Sequence, residues 1–138
     1  MKKLYNAALF YLVTGLLSGL FYREYTRGID FNGFTQLSVL HTHLLTLGML
    51  FFLIIIVMEK VFTLSDSKWF KLFFWHYNAG LILTAGMMVV HGIMAINGGE
   101  SSGMTAGISG LGHILLTAGL IFLFAALKQR LFTKPPTA

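Results

Sequence analysis

Four long apolar segments alternate with short polar stretches along the chain. They run from about residue 4 to 22, 37 to 58, 73 to 96 and 105 to 127, and none shows the apolar–polar alternation of a strand. About 20 apolar residues suffice for a helix to cross a bilayer, and only helices or closed barrels can cross it. The pattern therefore predicts an all-α membrane protein in which residues 1–138 form a single four-helix transmembrane bundle.

The composition supports a membrane protein. The chain is 56% hydrophobic and 11% charged, whereas about a quarter of the residues of a soluble domain are charged. It contains no cysteine, which excludes disulfides, thiolate metal sites and covalent haem attachment. The apolar run after Met1-Lys2-Lys3 mimics a signal peptide but lacks a convincing small-x-small cleavage site, so we expect it to be retained as the first helix.

The positions of the basic residues predict the orientation in the membrane. Eight of the 10 lysines and arginines lie near the two chain ends or between predicted helices two and three, and only Arg23 and Arg27 lie on the opposite side. Both termini are therefore expected in the cytoplasm, as in a multi-pass protein of the bacterial cytoplasmic (inner) membrane. Because the charge lies in loops and ends and does not alternate with aromatic residues, no nucleic-acid partner is expected. The tail 134–138 is predicted to be disordered.

Four of the five histidines fall in one layer of this topology, in the outer half of the bilayer: His41, His43, His91 and His113. Imidazoles within a membrane segment are candidates for a functional site. The alternative is hydrogen bonding between helices, above all for His91 and His113. His41 and His43 point to about opposite sides of one helix, so they cannot bind the same ion. His76 lies near the inner interface, where we expect only an amphipathic side chain.

Haem suits these histidines better than a hydrated metal ion does. No carboxylate lies in the outer half of any predicted helix, which disfavours a hydrated divalent cation. Haem needs one or two axial imidazoles, an apolar slot and cationic groups for its propionates. Phenylalanines and leucines supply the slot, and Arg23 and Arg27 lie on the correct side for the propionates. We therefore expect haem b, with copper as the alternative metal and with His41 and His43 as the first candidates for ligands.

The range His41–Gly48 reads His-Thr-His-Leu-Leu-Thr-Leu-Gly. It resembles the His-x-His-x-x-x-x-Gly signature on the tenth helix of the catalytic subunit of haem–copper oxygen and nitric-oxide reductases. In that family the two histidines bind two different haems, and twelve helices form three four-helix arcs with pseudo-threefold symmetry. The resemblance implies that His41 and His43 are haem ligands, adds Gly48 to the candidate site, and makes this chain similar to one arc. The whole chain is also similar to an uncharacterised family of small four-helix bacterial membrane proteins, which implies no activity.

The chain also departs from the haem–copper pattern. It has neither the adjacent His-His pair nor the His-x-x-x-Tyr pattern that accompany the copper site of those enzymes. The resemblance therefore does not extend to the chemistry of oxygen reduction.

Three copies of such an arc could close a ring, as cyclic symmetry permits. His41 of one copy would then face His43 of the next, with one haem at each interface. The favoured prediction is a homotrimeric haem protein that transfers electrons or senses a diatomic gas, with a quinol or another respiratory-chain component as its partner. The sequence favours such a role over that of an enzyme but leaves this question open. The alternatives are a minimal oxygen or nitric-oxide reductase, a copper or zinc transporter, and an assembly subunit of a respiratory complex.

Overall fold

The computed structural model describes residues 1–99 and 102–132. They form four long helices: α1 (Lys2–Gly28), α2 (Leu37–Phe62), α3 (Lys68–Ile96) and α4 (Gly103–Phe132). A 3₁₀ turn, Leu64–Asp66, joins α2 to α3. Each helix is long and apolar enough to cross a membrane, which confirms the predicted all-α bundle of membrane-length helices. The predicted disordered tail, 134–138, lies outside the described residues.

Polar side chains determine where α2 ends and α3 begins. Glu59 is only 7% exposed, because its carboxylate accepts hydrogen bonds from the Ser65 backbone N–H, at 2.9 Å, and from the Ser65 hydroxyl. The charge is thus satisfied inside the protein, and α2 continues beyond it to Phe62. Ser67 caps α3, since its hydroxyl oxygen accepts a hydrogen bond from the backbone N–H of Trp69 at 3.2 Å. Both helices therefore extend beyond their apolar segments.

Each of the four helices packs against the next one in chain order. Among the four helices, α1 comes within 8 Å of α2 only, measured between Cα atoms, whereas α3 packs against both α2 and α4. Helix α4 approaches α2 within this distance only along Phe51–Phe62. The outer halves of α2 and α4 are therefore further apart than their inner halves.

Helices α3 and α4 are in backbone contact. A Cβ atom added to Gly80 would lie 2.6 Å from the backbone nitrogen of Leu116 and 2.9 Å from the carbonyl oxygen of Gly112. One added to Gly119 would lie 2.9 Å from the backbone nitrogen of Tyr77. Glycine is required at these positions because any side chain would occupy space that the opposite backbone fills.

The core and the outer surface are both apolar. Stacked and edge-to-face rings from α1, α2 and α3 fill the inner half of the bundle, among them Tyr11, Phe52 and Tyr77. Large apolar side chains also point outward, such as Ile121 at 62% exposure and Phe124 at 69%. Such a surface is unfavourable in water and suited to lipid, as expected for a multi-pass membrane protein.

Candidate functional site

Helix α2 is irregular directly after its histidine pair. Residues Leu44–Leu50 are π-helical, a form that is frequent at functional sites. Two contacts from other helices hold it: the Tyr77 hydroxyl donates to the carbonyl oxygen of Leu47 at 2.9 Å, and Gly48 leaves room for the ring of Tyr11. Gly48 thus faces a side chain of α1, and its part in a cofactor site stays a prediction.

His41 and His43 lie on different flanks of α2. His41 faces α1, because a Cβ added to Gly19 would lie 3.4 Å from the Cβ of His41. Its Nδ1 atom is buried and has no hydrogen-bond partner among the described residues. His43 lies about 200° further round the helix, on the flank that faces away from α1.

The ring of His43 has a defined orientation and proton position. Its Nδ1 lies 2.9 Å from the carbonyl oxygen of Val39. A carbonyl oxygen only accepts hydrogen bonds, so Nδ1 carries the proton and the Nε2 of the neutral ring keeps its lone pair. Histidines that bind metals typically donate the other ring N–H in this way. The Nε2 of His43 is therefore the ring nitrogen that remains able to accept a bond.

Ser109 joins the other two outer histidines. The Nδ1 of His113 donates to the Ser109 carbonyl at 3.0 Å, which leaves Nε2 of this exposed ring as a free acceptor. The Nε2 of His91 shares a hydrogen bond with the Ser109 hydroxyl at 3.1 Å. His113 thus resembles His43, whereas His91 makes the bond between helices that was the alternative to ligation. The sequence reasoning missed Ser109, although it lies four residues before His113, the spacing of this bond.

Contacts with α3 place His43 and His113 at similar depths. Leu44, the residue after His43, lines a cavity together with Ala85 of α3. A Cβ added to Gly112, the residue before His113, would lie 2.6 Å from the hydroxyl oxygen of Thr84. The same turn of α3 therefore lies beside the neighbours of both histidines, which indicates that the histidines differ in depth by no more than about one helical turn, or about 5 Å.

Both histidines also lie on one side of the α3–α4 pair. On α4, Phe122 lies nine residues after His113 and therefore points about 180° away from it round the helix. The ring of Phe122 contacts the ring of His76 on α3, at a centroid distance of 5.0 Å. On α3, Gly92 packs against Leu37 of α2 and lies about 160° round from His76. Phe122 and His76 therefore lie on one side of the α3–α4 pair, and helix α2 and His113 lie on the other side.

From these contacts we infer a cleft between the outer halves of α2 and α4, with α3 as its floor, His43 on the α2 side and His113 on the α4 side. The adjoining Thr84 hydroxyl is buried and has no hydrogen-bond partner within the described ranges. No group of three or more His, Asp or Glu side chains able to hold a metal ion occurs in the described part of the chain. Haem needs only one or two imidazole ligands, so two histidines on neighbouring helices are a sufficient donor set for it, whereas a metal site built from protein ligands only needs more.

The remaining predicted residues lie elsewhere. His76 lies toward the other end of α3, where its Nδ1 donates to the Leu72 carbonyl at 2.9 Å. Arg23 is paired with the neighbouring Glu24 at 3.0 Å and its side chain is 71% exposed. Arg27 is also exposed. Both arginines belong to α1, which lies on the other side of α2 from His113. Within a single chain they are therefore not part of the cleft.

Comparison with known proteins gives a family but no activity. No curated protein and no solved structure matches the chain. A family model described as "Protein of unknown function (DUF2871)" matches residues 1–130, which include all of α1, α2 and α3 and nearly all of α4. The chain therefore belongs to the DUF2871 family.

Proposed function

We propose that this protein binds b-type haem within the membrane and that His43 and His113 would hold its iron. One set of contacts carries the proposal: both rings donate Nδ1 to a carbonyl of their own helix, and the residues next to them, Leu44 and Gly112, lie beside the same turn of α3. Each Nε2 atom is thereby left free to bind iron. The π-helical segment after His43 supports a functional role for this end of α2.

Two imidazole ligands favour electron transfer over catalysis. When bound, haem b supplies a one-electron iron couple. The two histidines would fill both axial positions, so no position would remain open for a gas or a substrate. We infer that the protein transfers electrons, with a quinol or another respiratory-chain component as its partner. Sensing of a diatomic gas would require one histidine to leave the iron.

We further propose that both termini lie in the cytoplasm and that the bilayer is the bacterial inner membrane. The described basic residues support this orientation, because Arg23 and Arg27 lie at one end of the bundle and the others at the opposite end. The positive-inside rule places the more basic end in the cytoplasm. The haem would then lie in the outer half of the bilayer.

We also propose the predicted threefold ring of chains. Ring closure would set α1 of one chain beside α4 of the next. Gly107 and Gly110 of α4 have open space at their Cβ positions, which permits a neighbouring helix to approach closely. Arg23 and Arg27 of a neighbouring copy would then reach the outer end of the cleft, where the propionates need cationic partners. The alternative places haem between copies, on His41 of one and His43 of the next.

An absorption spectrum of the purified protein, oxidised and dithionite-reduced, tests the proposal. We expect a Soret band and sharp reduced α and β bands in the wild type, and their loss in His43→Ala and in His113→Ala. His76→Ala is the matched control, since His76 makes the same hydrogen bond to its own helix but lies outside the cleft. It should keep the full spectrum.

Other outcomes would favour other functions. Loss of the spectrum in His41→Ala and His43→Ala, with retention in His113→Ala, would move the haem to the interface between copies. Carbon monoxide binding to the reduced wild type would reveal an open coordination position and support a minimal oxygen or nitric-oxide reductase. A colourless protein purified from haem-replete cells would contradict haem binding and favour copper or zinc transport or an assembly role.

A further inference from the structure

A second cavity, of about 410 Å³, lies at the more basic end of the bundle. It is formed by the first turn of α1, the 3₁₀ turn after α2 and the first two turns of α3. Lys2, Lys3 and Lys71 all line it, and all three side chains are exposed. Three ammonium groups around one cavity make a site for an anion.

The nearby carboxylate does not neutralise these lysines directly. Glu59 is buried behind Ser65, another residue of the cavity wall, and accepts hydrogen bonds from its backbone N–H and its hydroxyl. Its charge is thus held by neutral donors of the 3₁₀ turn. The lysine ammonium groups keep their capacity to bind a ligand.

The lining of the cavity is also partly aromatic. It contains Phe70, Phe74 and Trp75, and Trp75 is 57% exposed on the surface that we assign to lipid. Tryptophan is enriched where headgroups meet acyl chains, and lysines at this level extend their amines toward the phosphates. A free phosphate would use only the lysines, whereas a phospholipid would use the aromatic side chains as well.

We propose that this cavity binds the phosphate of an anionic membrane lipid. The lysines would hold the headgroup, and the aromatic side chains would pack against the first part of its acyl chains. Basic pockets between transmembrane helices on the cytoplasmic side are typical sites for such lipids. This proposal does not depend on haem, because the cavity and the histidine cleft lie at opposite ends of the bundle.

Native mass spectrometry of protein released from nanodiscs tests this assignment. The nanodiscs would contain equal amounts of phosphatidylglycerol and phosphatidylcholine, and the lipids retained on the protein would be counted. The variant Lys3→Gln/Lys71→Gln removes two cavity lysines. The control Lys60→Gln/Lys68→Gln removes the same charge from the same end of the bundle at residues that do not line the cavity. Each lysine near an anionic lipid contributes about fivefold in affinity, so we expect a loss of roughly 25-fold in the first variant.

The result expected is preferential retention of phosphatidylglycerol by the wild type and by the control variant, and loss of that preference in the cavity variant. Equal losses in both variants would overturn the proposal, because the attraction would then be general to the basic surface. Absence of any preference in the wild type would also overturn it. Displacement of the lipid by millimolar inorganic phosphate would show that the site takes a free anion and would contradict the lipid assignment.

Discussion

Replacing Gly80 by alanine tests whether backbone contact between α3 and α4 holds the histidine cleft in place. The added Cβ would lie 2.6 Å from the backbone nitrogen of Leu116 and 2.9 Å from the carbonyl oxygen of Gly112. Favourable separations between such atoms are about 3.5 Å or more, so the two helices must separate by about 1 Å. Both obstructing atoms belong to backbone, so no rotation of a side chain can relieve the overlap.

The free energy of unfolding should fall by about 2 kcal/mol. Overpacking a tight contact costs about 1–3 kcal/mol, and a radial gap of about 1 Å forfeits up to half of the dispersion energy of the atoms along it. The upper end of that range applies, because the whole of α4 must move. Alanine offsets about 1 kcal/mol of this loss through its higher helix propensity.

The control is Gly86→Ala in the same helix, where an added Cβ has no atom within 4 Å. The free energy of unfolding of this variant should be unchanged or raised by up to about 1 kcal/mol. Both variants would be unfolded in mixed detergent micelles with increasing dodecyl sulfate, and helicity would be followed by circular dichroism. Equal stability of the two variants would refute the argument. Because Gly112 directly precedes His113, Gly80→Ala should also weaken any haem binding, whereas Gly86→Ala should not.

Three further predictions concern side chains that make hydrogen bonds to other parts of the chain. Tyr77→Phe removes the donor to Leu47 in the π-helical segment and should lower the free energy of unfolding by about 1 kcal/mol; no change in the same detergent titration would mean that the bond does not hold this segment. Glu59→Ala leaves the N–H of Ser65 without its acceptor and should lower the free energy of unfolding by about 1–3 kcal/mol. Glu59→Gln should lower it by less, because the amide oxygen still accepts a hydrogen bond, and equal losses in the two variants would contradict this account. Arg130→Gln removes the guanidinium that donates hydrogen bonds to the turn after α2, so proteolysis of that turn should become faster. An unchanged rate of cleavage would show that these bonds do not stabilise the turn.

The helices could be predicted from the sequence because each depends on a local property. A run of apolar residues long enough to cross a bilayer satisfies its backbone only as a helix, whatever its neighbours are. The predicted and observed starts of α2 coincide at Leu37 for this reason. The ends were less predictable, since Glu59 marks the end of the apolar run but not of the helix, and its burial depends on Ser65 in the following turn.

The sequence by itself determined the four membrane-length helices and the set of candidate histidines, because apolar length and residue type do not depend on packing. Tertiary structure decided where the histidines lie relative to the other helices. Within a single helix, His41 and His43 differ only in direction; the position of α1 places His41 against Gly19 and leaves His43 on the other flank. The proposed pairing of His43 with His113 rests on the packing of both α2 and α4 against α3, an interaction between distant parts of the chain. The π-helical segment contacts side chains from two other helices, Tyr11 and Tyr77, and no local pattern in α2 could have shown these contacts.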